Sequence, residues 1–408
     1  MPANLSAWKI PPIPVQVQLA YAKAVAPSIL KSLRRGLKYV FFLLLLVNAR
    51  SLPLAWHVRI FRPVVYLRLQ YYLLRLHLLF SSKEVKVKAS NDWAESLSPV
   101  GAHPFEMTTV YKTWASLDES DFNGHLSNSS YAKTLDAARF KTALASFPAF
   151  FRSGGWMALG ATHYHFIREI PMFARYEVRV TIGGWDNKWI YVICRFVSKS
   201  QKKGRSSDRQ ESPTPSPPPG SMSSTLQASL HTPVNADELG TPLPNTPAGL
   251  ASVPSADNVA VMNVLQRTEE PDGATLHCVS ISTMCFKQGR ITVPPGVIIA
   301  AEGFSRPPSA GSSDPSPSTS SPTASSPVNS YSRANPPPTW ALSQSLRLAP
   351  TGSMRTFREF LKGGWRNVPE GQRWWEDALG GEIEERRKAA VEVLGLARKG
   401  LEETRELR

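Results

Sequence analysis

Between residues 107 and 198 the apolar positions keep two clear periods. Residues 107–114 (MTTVYKTW) alternate as a short half-buried strand does, and a polar turn at 118–124 follows. From Ser129 to about Leu144 the period lengthens. Tyr131, Leu135, Ala138 and Thr142 fall at helical spacings, Ala132, Ala137 and Ala143 add propensity, and Pro148 ends the helix. Alternation returns at 156–168 (WMALGATHYHFIR). It continues at 175–183 (RYEVRVTIG) and 188–198 (KWIYVICRFVS), a pair joined by a turn with Gly184 and Asp186-Asn187. A last alternating run, 275–286 (TLHCVSISTMCF), supplies another strand and ends in a turn containing Gly289, Arg290, Pro294 and Pro295. One helix followed by successive strands implies an α+β domain with an antiparallel sheet, over residues 95–198 plus 272–300.

The intervening segments lack either period. Residues 199–271 are largely Ser, Pro and Thr rich, with SPTPSPPPG at 212–220, and read as a disordered insertion. A loop this long inside a sheet is unusual but tolerable, because closure entropy grows only logarithmically with length. A second Ser/Pro tract makes 301–340 a linker, and 341–408 reads as a C-terminal helical extension. That extension carries Phe357, Phe360, Leu361, Trp365, Trp374 and Trp375, then a charged helical pattern from Glu382 to Arg408.

Charge sets the first 83 residues apart. The chain of 408 residues has 47 Lys and Arg against 32 Asp and Glu, net +15, yet its first acidic residue is Glu84. An apolar run from Tyr39 to Ala49 lies between Lys38 and Arg50, and a Leu- and Tyr-rich stretch from Pro63 to Phe80 carries Arg68 and Arg75. Eleven uncharged residues are short for a bilayer span unless Arg50 snorkels and the segment to Trp56 joins in. The pattern favours a leader that anchors to a membrane through residues 36–80, as a transmembrane or interfacial helix. A mitochondrial presequence and a buried basic helical extension of the fold are the alternatives. The implied location is intracellular and membrane-associated, endoplasmic reticulum and mitochondrion not being distinguished. Three cysteines without C-x-x-C spacing indicate neither a disulfide framework nor a structural zinc site.

The richest chemistry lies in residues 118–131 (DESDFNGHLSNSSY), where carboxylates, a glycine, a histidine and an amide immediately precede a helix. A helix start offers unsatisfied N–H groups and partial positive charge, suited to an oxygen that becomes negative in a transition state. Backbone amides near Gly124 and His125 could polarise a carbonyl while Asp121 activates water or attacks directly. Ordinary helix capping by Asp, Asn and Ser is the competing explanation.

The segment resembles the hotdog-fold thioesterases of the 4-hydroxybenzoyl-CoA thioesterase-like group. Asp121, Gly124, His125, Asn128, Tyr131 and Arg139 match that pattern, while Leu126 and Ser127 replace its Val and first Asn. The run GWDNKWIYVICRFVSK at 184–199 is similar to the membrane-anchored thioesterase superfamily member 6 group. The resemblance implies a single hotdog domain, a long helix wrapped by a curved antiparallel sheet, and a homodimer with an acyl-CoA or other acyl thioester near the subunit boundary. It implies hydrolysis with Asp121 as nucleophile or base, Gly124 and His125 at the oxyanion-stabilising helix start, and Asn128 and Tyr131 positioning the loop or lining the acyl channel. It implies no cofactor. A non-catalytic acyl- or lipid-binding protein, or a scaffold, on the same fold is the alternative.

Other residues carry weaker signals. His163 and His165 share a strand face but lack a third metal ligand nearby. The Asp136 to Arg139 spacing fits a surface ion pair, and Arg139 and Arg290 are candidates for substrate binding, Arg290 through a coenzyme A phosphate. The basic excess sits in an apolar leader without a recognised helix or finger motif, which argues against nucleic acid. Neither glycine fingerprint of dinucleotide or nucleoside-triphosphate binding is present in its strand-to-helix context.

Overall fold

The computed structural model describes residues 14–199, 270–308, 331–348, 351–404 and 406–407. The expected insertion at 199–271 lies almost wholly outside the described residues, as does 309–330 of the expected linker. The chain divides into two units, and the first, Met1–Lys199 with Thr268–Arg408, holds every element below.

Three helices come first: α1 (Val15–Val47), α2 (Ala55–His77) and α3 (Lys83–Glu95). The central segment runs β1 (Thr109–Trp114), α4 (Asn128–Ser146), α5 (Pro148–Arg152), β2 (Trp156–Phe166), β3 (Arg175–Trp185) and β4 (Ile190–Ser198). After the insertion come β5 (Thr275–Gln288), β6 (Ile291–Val293) and α6 (Pro295–Ala301). The extension adds α7 (Trp340–Arg347), α8 (Met354–Leu361), α9 (Trp374–Ala378) and α10 (Glu382–Glu403).

The strands pair antiparallel in the order β1-β3-β4-β5-β2, with β6 on β5. The two-residue period decides which face is core. Tyr176, Val178, Val180 and Ile182 of β3 and Leu276, Cys278, Met284 and Phe286 of β5 are all buried. Against them α4 sets Tyr131, Leu135 and Ala138, and Phe147 and Phe150 meet Phe286 edge-on. The other parity of β3 faces α10, where a side chain on Gly183 would collide with Leu394 Cδ1 at 2.9 Å. The absence of a side chain there lets the helix lie close to the sheet.

This architecture corrects the expected wrap. The fold is α+β, but β1 and β2 are the two edges of an open sheet, with β3, β4 and β5 between them. The helix α4 packs closest to β1 and β3, at one side of the sheet, and α10 lies on the opposite face of β3. A sheet carrying a helix on each face stays open instead of curling round one of them.

The expected membrane leader is corrected as well. Among the described residues no helix is long and apolar enough to cross a membrane. The sequence gives the reason: Lys31, Arg34, Arg35 and Lys38 precede the short apolar run of α1, and Arg59, Arg62, Arg68 and Arg75 recur through α2. Two of the leader's arginines are engaged with the α+β domain. Arg50 Nη1 reaches Glu119 Oε2 at 2.6 Å and Arg59 Nη2 reaches Glu119 Oε1 at 2.8 Å. The membrane partner, the transmembrane helix and the membrane-associated location drawn from residues 36–80 are therefore withdrawn. In residues 50–95 the chain builds two helices, of which α2 packs on α4, but they are not the buried extension that stood as an alternative, since most of the apolar side chains of α2 are exposed.

Candidate active site

After β1 the chain leaves the sheet through a single turn of 3-10 helix, Leu117–Glu119, and doubles back so that Ser120 bridges Leu126. Asp121 closes this reversal. Its N–H donates to His125 O at 2.9 Å, its carbonyl accepts from Gly124 N–H at 3.1 Å, and its Oδ1 accepts from Asn123 N–H at 2.9 Å and His125 N–H at 3.4 Å. Gly124 has φ +78°, the left-handed conformation that this turn requires and other residues rarely adopt. The carboxylate is exposed, and among the described residues its Oδ2 takes no hydrogen bond.

A strap at 169–173 moors the turn. Leu126 N–H donates to Ile170 O and Met172 N–H to Gly124 O, both at 2.8 Å. The strap is fixed in turn by His277, whose Nδ1 lies 2.9 Å from Glu169 O and whose Nε2 lies 2.7 Å from Ser198 Oγ. Burial lowers the His277 pKa and so favours the neutral ring, with Nδ1–H donating to the Glu169 carbonyl. Phe173 takes φ +66°, a strained conformation for a non-glycine residue, beside the site. The Glu169 carboxylate stands 3.7 Å from His125 Nδ1, a second acid at the turn.

Beneath the turn lies Glu119, its side chain fully buried. Burial alone would raise its pKa, but the Arg59 and Arg50 guanidiniums outweigh it and hold the carboxyl below its ordinary value. Lys133 of α4 stands 3.5 Å away, so this one carboxylate ties the α1–α2 connection, α2 and α4 together beside the site. Its carbonyl also accepts from Ser127 N–H at 3.0 Å and Ser130 Oγ at 2.8 Å, which sets where α4 begins.

The sequence candidates separate in space. Asp121, Gly124, His125 and Asn128 form one surface, with Asn128 exposed at the first position of α4. The amides of Gly124 and His125, expected to polarise a carbonyl, are both spent on Asp121. The helix start that lacks internal acceptors is three residues further on, at Asn128 and Ser129. Tyr131 is 2% exposed and packed on Phe166 and Phe196, and burial pushes its phenol pKa up. Arg139 does pair with Asp136 at 2.5 Å, but not at the surface: it is 7% exposed and also donates to Thr162 Oγ1 and Ser282 Oγ, pinning α4 to β2 and β5. Arg290 is exposed in the β5–β6 turn, at the end of β5 remote from the strap. At about 3.3 Å per residue the 14 residues of β5 separate the two ends by roughly 40 Å. The structure does not bring Arg290 to Asp121 within one chain. Among the described residues no three His, Cys, Asp or Glu side chains are grouped to hold a metal ion.

The sequence reading missed the strap, with Glu169, and the Glu119 cluster. Their only sequence signal was an acid beside Ile170-Pro171 and an acid two residues before Asp121. The partners that give them meaning are distant in the chain.

Residues 115–210, which hold the turn, the strap and three of the strands, match the family model described as "Thioesterase-like superfamily". This chain is a member of the thioesterase-like superfamily. Curated relatives agree. "Thioesterase lcsJ" of Purpureocillium lilacinum is 35% identical over 124 residues, covering 25% of this chain and 40% of the relative. "Probable thioesterase YBR096W" of Saccharomyces cerevisiae is 30% identical over 172 residues, covering 40% and 66%. "Protein THEM6" of Danio rerio is 36% identical over 86 residues, covering 21% and 43%. The chain thus spans about half the length of the curated relatives it matches. What this superfamily member retains of the expected hotdog domain is one helix against an antiparallel sheet, in its open form.

Proposed function

We propose that this superfamily member hydrolyses an acyl thioester, with acyl-CoA as the substrate class and Asp121 as base or nucleophile. The observation that carries the reading is the Asp121 carboxylate: Oδ1 is fixed by two backbone amides while Oδ2 faces solvent, just ahead of α4. As a base, Asp121 takes a proton from water. The water oxygen bonds to the thioester carbon, negative charge collects on the carbonyl oxygen, and the C–S bond then breaks to release a thiolate that takes up the proton. The donors suited to that oxyanion are the first amides of α4 and the exposed Asn128 side chain, in place of Gly124 and His125. Tyr131 and Arg139 act from behind, holding α4 on the sheet.

The similarity to the zebrafish protein supports a finer reading, in which the chain is akin to the thioesterase superfamily member 6 group. A homodimer fits the sheet, because the edge strand β2 is 11 residues long, has no Asp, Glu, Lys or Arg and, among the described residues, pairs only with β5. An antiparallel β2–β2 pairing would bring the β5–β6 turn of a second copy, with Arg290, toward the Asp121 end of the first.

Hydrolysis of a panel of short- to long-chain acyl-CoAs by the full chain tests the reading, alongside Asp121→Asn at matched folding. Turnover that falls by about 100-fold or more in the variant is expected. A folded protein with no turnover across the panel, or a variant as active as the parent, rejects it in favour of acyl binding without catalysis.

A further inference from the structure

The hairpin of α2 and α3 leaves a cleft of about 630 Å³ along its length. The second helix runs back along the first, with Lys86 Nζ on Leu79 O at 2.8 Å at one end and the Trp93 ring 5.1 Å from that of Tyr71 at the other. At 1.5 Å per residue the path from Tyr71 to Leu78 is roughly 10 Å, long enough for an extended alkyl chain. Its walls are apolar and uncovered: Tyr72, Leu76, Leu79 and Val87 line the cleft and are between 48% and 65% exposed. Leu76, Leu78 and Leu79 on one side and Val87 on the other make that surface mainly aliphatic.

The charged groups of the cleft are all of one sign. Arg75 and Lys86 line it, and no Asp or Glu does. Among the described residues neither cation is paired with a carboxylate: Arg75 lies over the Tyr71 ring at 6.0 Å, and Lys86 gives one N–H to Leu79 O. An ammonium has three N–H groups, so Lys86 is held in place by one and keeps two to give. Ser90 and Asn91, half-buried on α3, add a hydroxyl and an amide that can also donate. A cation would meet like charge here, and a neutral chain would gain nothing from these donors. The cleft therefore selects an anion that carries an apolar chain.

We propose that this cleft binds a free fatty carboxylate, its acid group on Arg75 and Lys86 and its alkyl chain along Leu76, Leu79 and Val87. Carboxylates of this class are also what hydrolysis of an acyl thioester releases, yet binding here does not depend on that reaction. Arg75 stands roughly 24 Å along α2 from Arg59, the residue that meets Glu119 beneath the Asp121 turn.

Isothermal titration calorimetry of the full chain with decanoate tests the proposal, with decyltrimethylammonium, decanol and acetate as comparisons. Decanoate should bind, and each comparison at least about tenfold more weakly. Arg75→Gln removes one cation and Val87→Glu sets an acid into the opposite wall. Both positions are exposed, so the fold should hold while each variant weakens decanoate by about tenfold. Asp121→Asn should bind as the parent does, whatever its turnover. Sedimentation with phosphatidylglycerol vesicles should be the same for the parent and for Arg75→Gln. The proposal fails if decanoate does not bind, if any comparison binds as tightly, if neither cleft variant changes affinity, or if Asp121→Asn abolishes binding. It fails equally if Arg75→Gln removes an attachment to the vesicles, which would put a lipid surface in the cleft in place of the free acid.

Discussion

At Glu302 the cost of burial outweighs the groups that pair with the carboxylate, the reverse of the balance at Glu119. The side chain is fully buried, Oε1 accepts from Phe150 N–H at 2.6 Å, and Oε2 accepts from Ala149 N–H at 3.2 Å. Loss of hydration outweighs those amides and the Arg347 guanidinium at 3.9 Å, so the carboxyl pKa is pushed up to about 7. A raised acid favours the folded state while it is protonated. Its contribution is fully present below the ordinary carboxyl range and is lost as pH rises through about 7. Glu302→Gln, which cannot ionise, should therefore gain stability relative to the parent between pH 5 and pH 8. Melting temperatures of both proteins at the two pH values check this, and an unchanged difference would remove Glu302 as the cause. Little at this scale was legible from sequence. The Asp121 turn was, because Asp, Gly and His act on backbone within five residues of one another. The engagement of the Gly124 and His125 amides was not, since it follows from dihedral angles that composition does not encode. Arg139 was half legible: its spacing gives the Asp136 pair, but only the sheet shows that the arginine of that pair is covered.

Elements were easier to read than their surroundings. The helix expected from Ser129 to about Leu144 is α4, Asn128–Ser146, and each alternating run is a strand, because both periods record the burial of one face. The leader was misjudged because apolar residues amid arginines suit lipid and a protein surface equally well, and the deciding partner, Glu119, lies about 60 residues downstream of Arg59. Glu119→Gln leaves Arg50 and Arg59 facing a neutral amide in a buried site, at a cost of about 3–5 kcal/mol. Denaturant unfolding should show that loss, together with faster tryptic cleavage at Arg50, Arg59 and Arg62. Unaltered cleavage would mean that α1 and α2 are held by other contacts.

For the whole molecule the sheet edges decide what can be added. The edge β2, without Asp, Glu, Lys or Arg and with Leu159 48% exposed, is the surface on which a second copy would pair. Leu159→Lys should shift the protein from dimer to monomer in sedimentation equilibrium, and a parent that is already monomeric would exclude the β2 pairing. The openness of the sheet could not be read from strand count or order in sequence, because closure depends on which strands become neighbours. The β4–β5 connection has its own consequence. Ser198 and Thr275 are cross-strand partners, so everything between them hangs from two adjacent points of the ladder. The same geometry makes the protein divisible. A backbone cut between residues 199 and 270 severs none of β1 to β6, and the pieces ending at residue 199 and beginning at residue 270 keep the full β4–β5 seam between them. Expressed as two chains, the pieces are expected to associate through that seam as complementing fragments.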